Sequence, residues 1–235
     1  MDCSIILTIF NEKENIKEQT EVILDVFKKY RIDGEILLVD DGSTDGTKEI
    51  CDELDRKYKN VRALHHPVNI GRSFAIRTGF DNGKGDVFFV MDSDLQYKMD
   101  EIPGFLKKID EGYDVVSGWR YKRADDPIRR FISRTYNKLI IQRFFGLNVK
   151  DQNSGIKALK KEAALNMDFD PEGFIGLHRF LLPLANLKGF SVVEIPVEHY
   201  DRPAGRSYIK FYTIPFIVLR DYMHFRHRYR ADFKK

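Results

Sequence analysis

Four short apolar runs alternate with segments of helical period across the first 92 residues, and this alternation constrains the fold more than any other feature. The runs are CSIILTIF, EILLVD, VRALHH and DVFFVMD. Continuous apolar runs this short read as strands buried on both faces. The segment NEKENIKEQTEVILDVFKKYRIDG carries the stripe Ile16, Val22 or Ile23, Val26 and Phe27, with Gly34 expected to close it. GSTDGTKEICDELDRKY opens on capping residues and runs helical to Tyr58, and NIGRSFAIRTGFDNG enters a helix through Gly71. A βαβαβαβ chain predicts an α/β fold with a mostly parallel sheet flanked by helices. Ligands of such sheets bind beyond the carboxyl ends of the strands, at a switch point.

The second half is more mixed. DEIPGFLKKIDEG reads as a helix, DVVSGW as a strand, and DPIRRFISRTYNKLIIQRFFG as a long basic amphipathic helix. SGIKALKKEAALNM reads as a strand and then a helix, IGLHRFLLPLANLKG as a helix, and FSVVEIPVEHYD as a strand. A tail from Tyr208 to about Tyr229 reads as helical, with Pro215 near a kink. The expected organisation is one catalytic-sized domain over residues 1–207 and an amphipathic basic tail over 208–235.

The net charge of +3 gives no bulk electrostatic case for nucleic acid as a partner. Cys3 and Cys51 show neither metal spacing nor a disulfide framework, which suits a reducing cytoplasm. No basic n-region precedes the first apolar run, and no run approaches the roughly 20 residues of a spanning helix.

Three strand ends carry acids: Asn11-Glu12, Asp40-Asp41, and Asp92-Ser93-Asp94 with Gln96 beyond. Two carboxylates and an amide oxygen at alternate positions are hard donors that suit Mg²⁺ or Mn²⁺ beside substrate phosphates. The plain alternative is that Asp92 and Asp94 cap the following helix.

These blocks together resemble the family 2 inverting glycosyltransferases of the GT-A fold, and within them the polyprenyl-phosphate sugar synthases of the dolichyl-phosphate mannose synthase group. LTIFNEKENI resembles the opening strand and N-E turn. LLVDDGSTDGT resembles the nucleotide-binding block, NIGRSFAIRTG the following helix entry, and MDSDLQ the metal motif. SGWR, RRFISR, DQNSGIKALKK and DRPAGRS resemble later blocks in the same order. After GRS the chain departs from the family, with Tyr208 where Lys is usual.

The resemblance implies a hexosyltransferase taking a GDP- or UDP-hexose as donor and a polyprenyl phosphate as acceptor. Phe10, Glu12, Asp40, Asp41, Gly71, Arg72, Asp92 and Ser93 would line the donor pocket, with Arg202 closing over it from a loop around Gly205. Asp92, Asp94 and Gln96 would hold the divalent ion. Arg120, Arg129 and Ser133 would grip the acceptor phosphate, so that Asp92, Asp94 and Arg120 carry the catalysis. A phosphate monoester has a second pKa near 6, so near neutral pH it is already a nucleophile and requires no strong base. A glycan hydroxyl as acceptor, or a non-catalytic nucleotide-sugar-binding subunit, are the alternative readings.

Other readings stay open on the residues alone. Arg129, Arg130 and Arg134 form either a phosphate site or a solvated helix face. His178 and Arg179 are either a buried pair or neighbours of the donor, Trp119 is core or a sugar-stacking face, and His65 and His66 read as structural. The tail alternates aromatic residues with Arg220, Arg226, Arg228 and Arg230, which fits a membrane interface, packing on the core, or docking to a membrane-protein partner or a second copy. The expected location is peripheral, at the cytoplasmic face of a membrane.

Overall fold

The computed structural model describes residues 2–123, 142–203 and 214–234. The first four strands are β1 (Cys3–Ile9), β2 (Gly34–Asp40), β3 (Val61–His65) and β4 (Val87–Asp92). They alternate with α1 (Ile16–Tyr30), α2 (Thr47–Lys57) and α3 (Arg72–Asn82). There follow α4 (Ile102–Asp110), β5 (Val115–Arg123), β6 (Ile156–Lys160), α5 (Lys161–Asn166), α6 (Leu181–Leu187), β7 (Val192–His199) and α7 (Ile214–Arg228). Sheet order is β3-β2-β1-β4-β6-β5-β7. The pairings β1·β2, β1·β4, β2·β3 and β5·β7 are parallel, and β6 runs antiparallel to both its neighbours.

Strand alternation divides the core into two layers. Ile6, Leu37, Val39, Phe88 and Val90 pack against α3, α5, α6 and α7. Ile5, Leu7, Leu38, Phe89 and Met91 face α1, α2 and α4. Both faces of the central strands are covered, which is why their sequences are continuously apolar.

The first helix decides one alternative and departs from expectation at one point. Ile23 is buried while Val22 is exposed, so Ile23 belongs to the apolar stripe. Gly34 does not close the helix. Arg31 does so in the left-handed conformation, and Gly34 starts β2. A Cβ at Gly34 would come within 2.5 Å of the Phe27 ring, so its role is to make room for that side chain. The segment expected as one helix from Ile175 is a 3-10 turn, Leu177–Phe180, leading into α6. Pro183 sits in the first turn of α6, where its missing N–H costs nothing. Most of the expected long basic helix, residues 124–141, lies outside the described residues, with Arg143–Phe145 forming a single helical turn after it.

Val218 and Phe225 of α7, with Tyr229 just after it, are buried in the core layer that also holds Phe145, Phe174 and Phe180, while Phe216, Leu219 and Met223 face outward. Phe225 stacks on Phe180 at 5.2 Å and meets Phe145 edge-on at 5.4 Å. Truncating so enclosed a ring leaves a cavity, so Phe225→Ala should cost about 3–5 kcal/mol in denaturant unfolding. Met223→Ala, on the outward face, should stay within about 0.5 kcal/mol.

Candidate functional site

The parallel strands deliver their carboxyl ends to one rim, where Ile9 stands beside Asp40 and Thr8 beside Asp92. The chain leaves β1 through Phe10 and turns at Asn11, whose φ is 55°. That turn is stitched to the loop after β2. The Asn11 N–H donates to Ser43 Oγ at 2.9 Å, the Thr44 N–H to Asn11 Oδ1 at 2.8 Å, and the Glu12 N–H to Thr47 Oγ1 at 2.9 Å. Glu12 is thereby aimed into the rim, where Oε2 accepts from Asn15 Nδ2 at 2.8 Å and Oε1 pairs with Arg202.

Asp40 and Asp41 are both buried and both matched by protein partners. Asp40 accepts from the Ser43 N–H at 3.1 Å and meets His65 Nδ1 at 3.0 Å, whose Nε2 lies 3.0 Å from Asp52. Asp41 accepts from the Ile70 and Gly71 N–H groups at 3.0 and 2.8 Å, and meets His66 Nδ1 at 2.7 Å. Asp41 and His66 therefore brace the loop that leads into α3 and Arg72, while Asp40 and His65 brace the loop after β2 against α2.

Asp92 and Asp94 are held differently. The Asp92 N–H donates to Gly155 O at 3.1 Å, and its Oδ1 pairs with Arg72 Nη2 at 2.5 Å. A Cβ at Gly155 would stand 1.9 Å from Asp92 Oδ2, so only glycine there lets the carboxylate lie over β6. Gln19, fully buried on α1, donates through Nε2 to Asp92 O at 2.6 Å and accepts from the Leu95 N–H at 3.2 Å, clamping the turn in which Leu95 has φ 58°. Ser93 Oγ donates to Thr8 O at 3.0 Å. The Gln96 side-chain N–H donates to Tyr200 O at 2.8 Å, tying this turn to the end of β7. Burial, then the neighbouring Asp92 charge, push the Asp94 carboxyl up to about 7, while Arg202 opposes them. Two hard-oxygen groups, one of them raised by the other in a desolvated rim, form a donor set that a dication relieves. Among the described residues no three His, Cys, Asp or Glu side chains gather to hold an ion by themselves.

On the far side of the rim, Arg120 makes a two-point pair with Asp151, at 2.6 Å through Nε and 2.9 Å through Nη2, and both are largely buried. Arg129, Ser133, Arg130, Arg134, Gly205 and Tyr208 lie outside the described residues. Lys150 stands over the Trp119 ring at 3.7 Å, covering that face with a cation–π contact. His178 is a buried neighbour of the helix entry, with Nδ1 3.0 Å from Ser73 Oγ and its backbone N–H donating to the same oxygen at 3.1 Å. Burial, then Arg179 and Arg72, hold its pKa well below the usual imidazole range, so it is neutral near pH 7.

Three polar residues at the rim's base escaped the sequence reading: Gln19, Tyr97 and Lys157. The Tyr97 hydroxyl accepts from the Gly155 N–H at 2.7 Å. Lys157 is buried in β6 and donates to Ser154 O, and burial followed by Arg72 pull its ammonium down to about 7. The readable signal was a polar side chain on an apolar pattern: Gln19 one turn after Ile16, and Lys157 between Ile156 and Ala158.

Residues 4–170 match the protein family described as Glycosyl transferase family 2. The undecaprenyl-phosphate 4-deoxy-4-formamido-L-arabinose transferase of Edwardsiella ictaluri (strain 93-146) is 34% identical over 205 residues, covering 87% of this chain. The chain spans 62% of that relative's length. Among solved structures, mannosyl-3-phosphoglycerate synthase from Rubrobacter xylanophilus aligns with a TM-score of 0.70 at 15% identity, over 97% of this chain and 74% of that one. Glucosyl-3-phosphoglycerate synthase from Mycobacterium tuberculosis, in complex with Mn²⁺ and UDP-glucose, aligns with 0.66 at 18%, over 94% and 79%. Mannosyltransferase PcManGT from Pyrobaculum calidifontis, in complex with GDP-mannose and Mn²⁺, aligns with 0.63 at 17%, over 88% and 58%. At these identities the structural likeness is one of fold. With its GT-A-type sheet and with more than half its length matching the family, this chain belongs to glycosyl transferase family 2.

Proposed function

We propose that the chain transfers a hexose, with inversion, from a nucleoside diphosphate sugar to a polyprenyl phosphate. The observation that carries this reading is the gathering of Asp92 and Asp94 beside Arg72, Arg202 and Glu12 at the carboxyl rim. The 34%-identical relative is named for transfer involving undecaprenyl phosphate, which supports the acceptor class. Structural neighbours are described with GDP-mannose or UDP-glucose and Mn²⁺, which supports the donor class and the ion.

In this reading the donor diphosphate lies against the loops after β1, β2 and β4. Asp40 and Asp41, already bonded to protein, shape that wall through Ser43, Ile70 and Gly71, while Phe10 and Glu12 border it. A Mg²⁺ or Mn²⁺ bound at Asp92 and Asp94, with Gln96 beside them, would offset the charge growing on the departing diphosphate. With Asp92 engaged by such an ion, Arg72 would be free to present its guanidinium group to phosphate oxygens, and Arg202, paired with Glu12, would border the same space. An oxygen of the acceptor phosphate attacks the anomeric carbon, the bond to the diphosphate breaks, and its electron pair leaves with the nucleoside diphosphate. The acceptor arrives as an anion, so no residue need remove a proton. Arg120, Arg129 and Ser133 are the proposed acceptor contacts, with the Asp151 pair fixing the Arg120 guanidinium in place. Contact with a membrane face through the chain's basic elements would bring the lipid to the rim.

Three outcomes test this. Asp94→Asn should lower transfer of radiolabelled hexose into a mild-acid-labile polyprenyl lipid by about 10²–10³-fold. Wild-type rates from the variant would refute the assignment. Chelation of divalent ions should abolish the same transfer, and Mn²⁺ or Mg²⁺ should restore it. The third concerns pH. In the folded chain Asp94 holds its proton up to about 7, against 3.8 for an unperturbed carboxyl. Its contribution to stability is therefore fully present below 3.8 and lost as pH rises through about 7. In ion-free buffer the melting temperature should fall between pH 5 and 8, Asp94→Asn should flatten part of that fall, and Mn²⁺ should raise the melting temperature more at pH 8 than at pH 5.

A further inference from the structure

The rim has a buried floor that none of the foregoing roles uses. β6 lies between β4 and β5, and Lys157 on it pairs with Val90 of β4 and Ser117 of β5. Val90 precedes Asp92 by two residues, so Asp92 is the next residue of β4 on the same face. Gly155 lies two residues before Lys157, immediately ahead of β6. Where Gly155 lacks a side chain, Asp92 Oδ2 lies instead, within 1.9 Å of the position its Cβ would take. The Lys157 side chain does not run straight outward. It bends back toward the rim and donates through Nζ to Ser154 O, the carbonyl just before Gly155. Its charged surroundings are Asp92 with Arg72 on one side and Asp151 with Arg120 on the other.

We propose that Lys157 is the positioning residue of the cation site: tied to Ser154 O, it forms the floor that holds the Asp92 carboxylate over Gly155 in the orientation that faces the ion. The proposal rests on the reading that Asp92 and Asp94 bind a dication. The hydrogen bond to Ser154 O is one that both the ammonium and the neutral amine donate, so the tie survives a change of charge. Asp92 is open on its upper side to Arg72 and fixed below by the β6 backbone. A side chain that anchors the 154–155 segment therefore sets how far the carboxylate leans. Residues that orient a metal ligand without touching the metal typically change affinity about 10–100-fold when removed.

The test uses the full chain, with Mn²⁺ and GDP, and separately UDP, as probes. Titration calorimetry and Mn²⁺ electron paramagnetic resonance give ion affinity in the presence of nucleotide, and calorimetry gives nucleotide affinity without ion. Lys157→Met keeps the unbranched apolar stem as far as Cε and removes the donor, and Lys157→Gln serves as a second variant with a donor of different reach. The expected result is a melting temperature within a few degrees of wild type, unchanged ion-free nucleotide binding, and a loss of about tenfold or more in Mn²⁺ affinity. A smaller loss in Lys157→Gln is expected, since its amide still donates. Unchanged Mn²⁺ affinity in both variants overturns the proposal. Equal losses with and without Mn²⁺ also overturn it, because they mark a general disturbance of the rim. Failure of both variants to fold overturns it too, since Lys157 would then be a folding residue. Asp92→Asn, measured alongside, separates this from the parent reading: if it binds Mn²⁺ as wild type does, the ion assignment itself fails.

Discussion

Like charges gathered at the open end of a parallel sheet are the constraint around which the rest of the chain is arranged. Glu12 lies beyond β1 and Asp92 and Asp94 at the end of β4, and the charges of Asp92 and Glu12 raise the cost of ionising Asp94. The fold meets that cost with guanidinium groups: Arg72 on Asp92 and Arg202 on Glu12. Both arginines come from elements distant in sequence, the start of α3 and the chain beyond β7. The rim is thus assembled from many separate pieces of the chain, held by charge as well as by packing.

The acids at the rim fall into two groups with different physical status. Asp40 and Asp41 have their oxygens matched by backbone N–H groups and by His65 and His66, so they act as internal braces. Asp92 pairs with the Arg72 guanidinium, and Asp94 accepts from the Gln96 N–H at 3.4 Å, with Arg202 opposing the rise in its pKa. A matched buried carboxylate stiffens a loop, whereas one paired to a guanidinium is held chiefly by charge. The difference follows from local geometry: Asp40 accepts from Ser43 of its own loop and Asp41 from Ile70 and Gly71 of the loop after β3, while the turn after β4 is held through the Asp92 carbonyl by Gln19 and through Ser93 by Thr8.

α7 is also tied into this arrangement. Asp221 of α7 is buried and accepts from the Ile175 and Gly176 N–H groups at 3.1 and 2.7 Å. Those residues lead into His178, which bonds Ser73 beside Arg72. A chain of polar contacts therefore runs from the C-terminal helix to the arginine that pairs with Asp92. The outward apolar residues of α7 stand on the opposite side of the same helix, so the element is amphipathic in both senses, anchored by Asp221 and Phe225 and open at Phe216, Leu219 and Met223.

The sequence by itself determined the alternation of the first four strands and three helices, the parallel central sheet, and the placing of Asp40, Asp41, Asp92 and Asp94 at strand ends. Periodicity and capping are local, and a strand's end is visible wherever an apolar run meets an acid. Only the tertiary structure decided that β6 runs antiparallel between β4 and β5, that Gly34 makes room for Phe27, and that Asp40 and Asp41 are spent on histidines and amides. It alone brought Gln19, Gly155 and Lys157 beneath Asp92, because contacts between residues 63 to 76 positions apart depend on strand order, which no local pattern encodes.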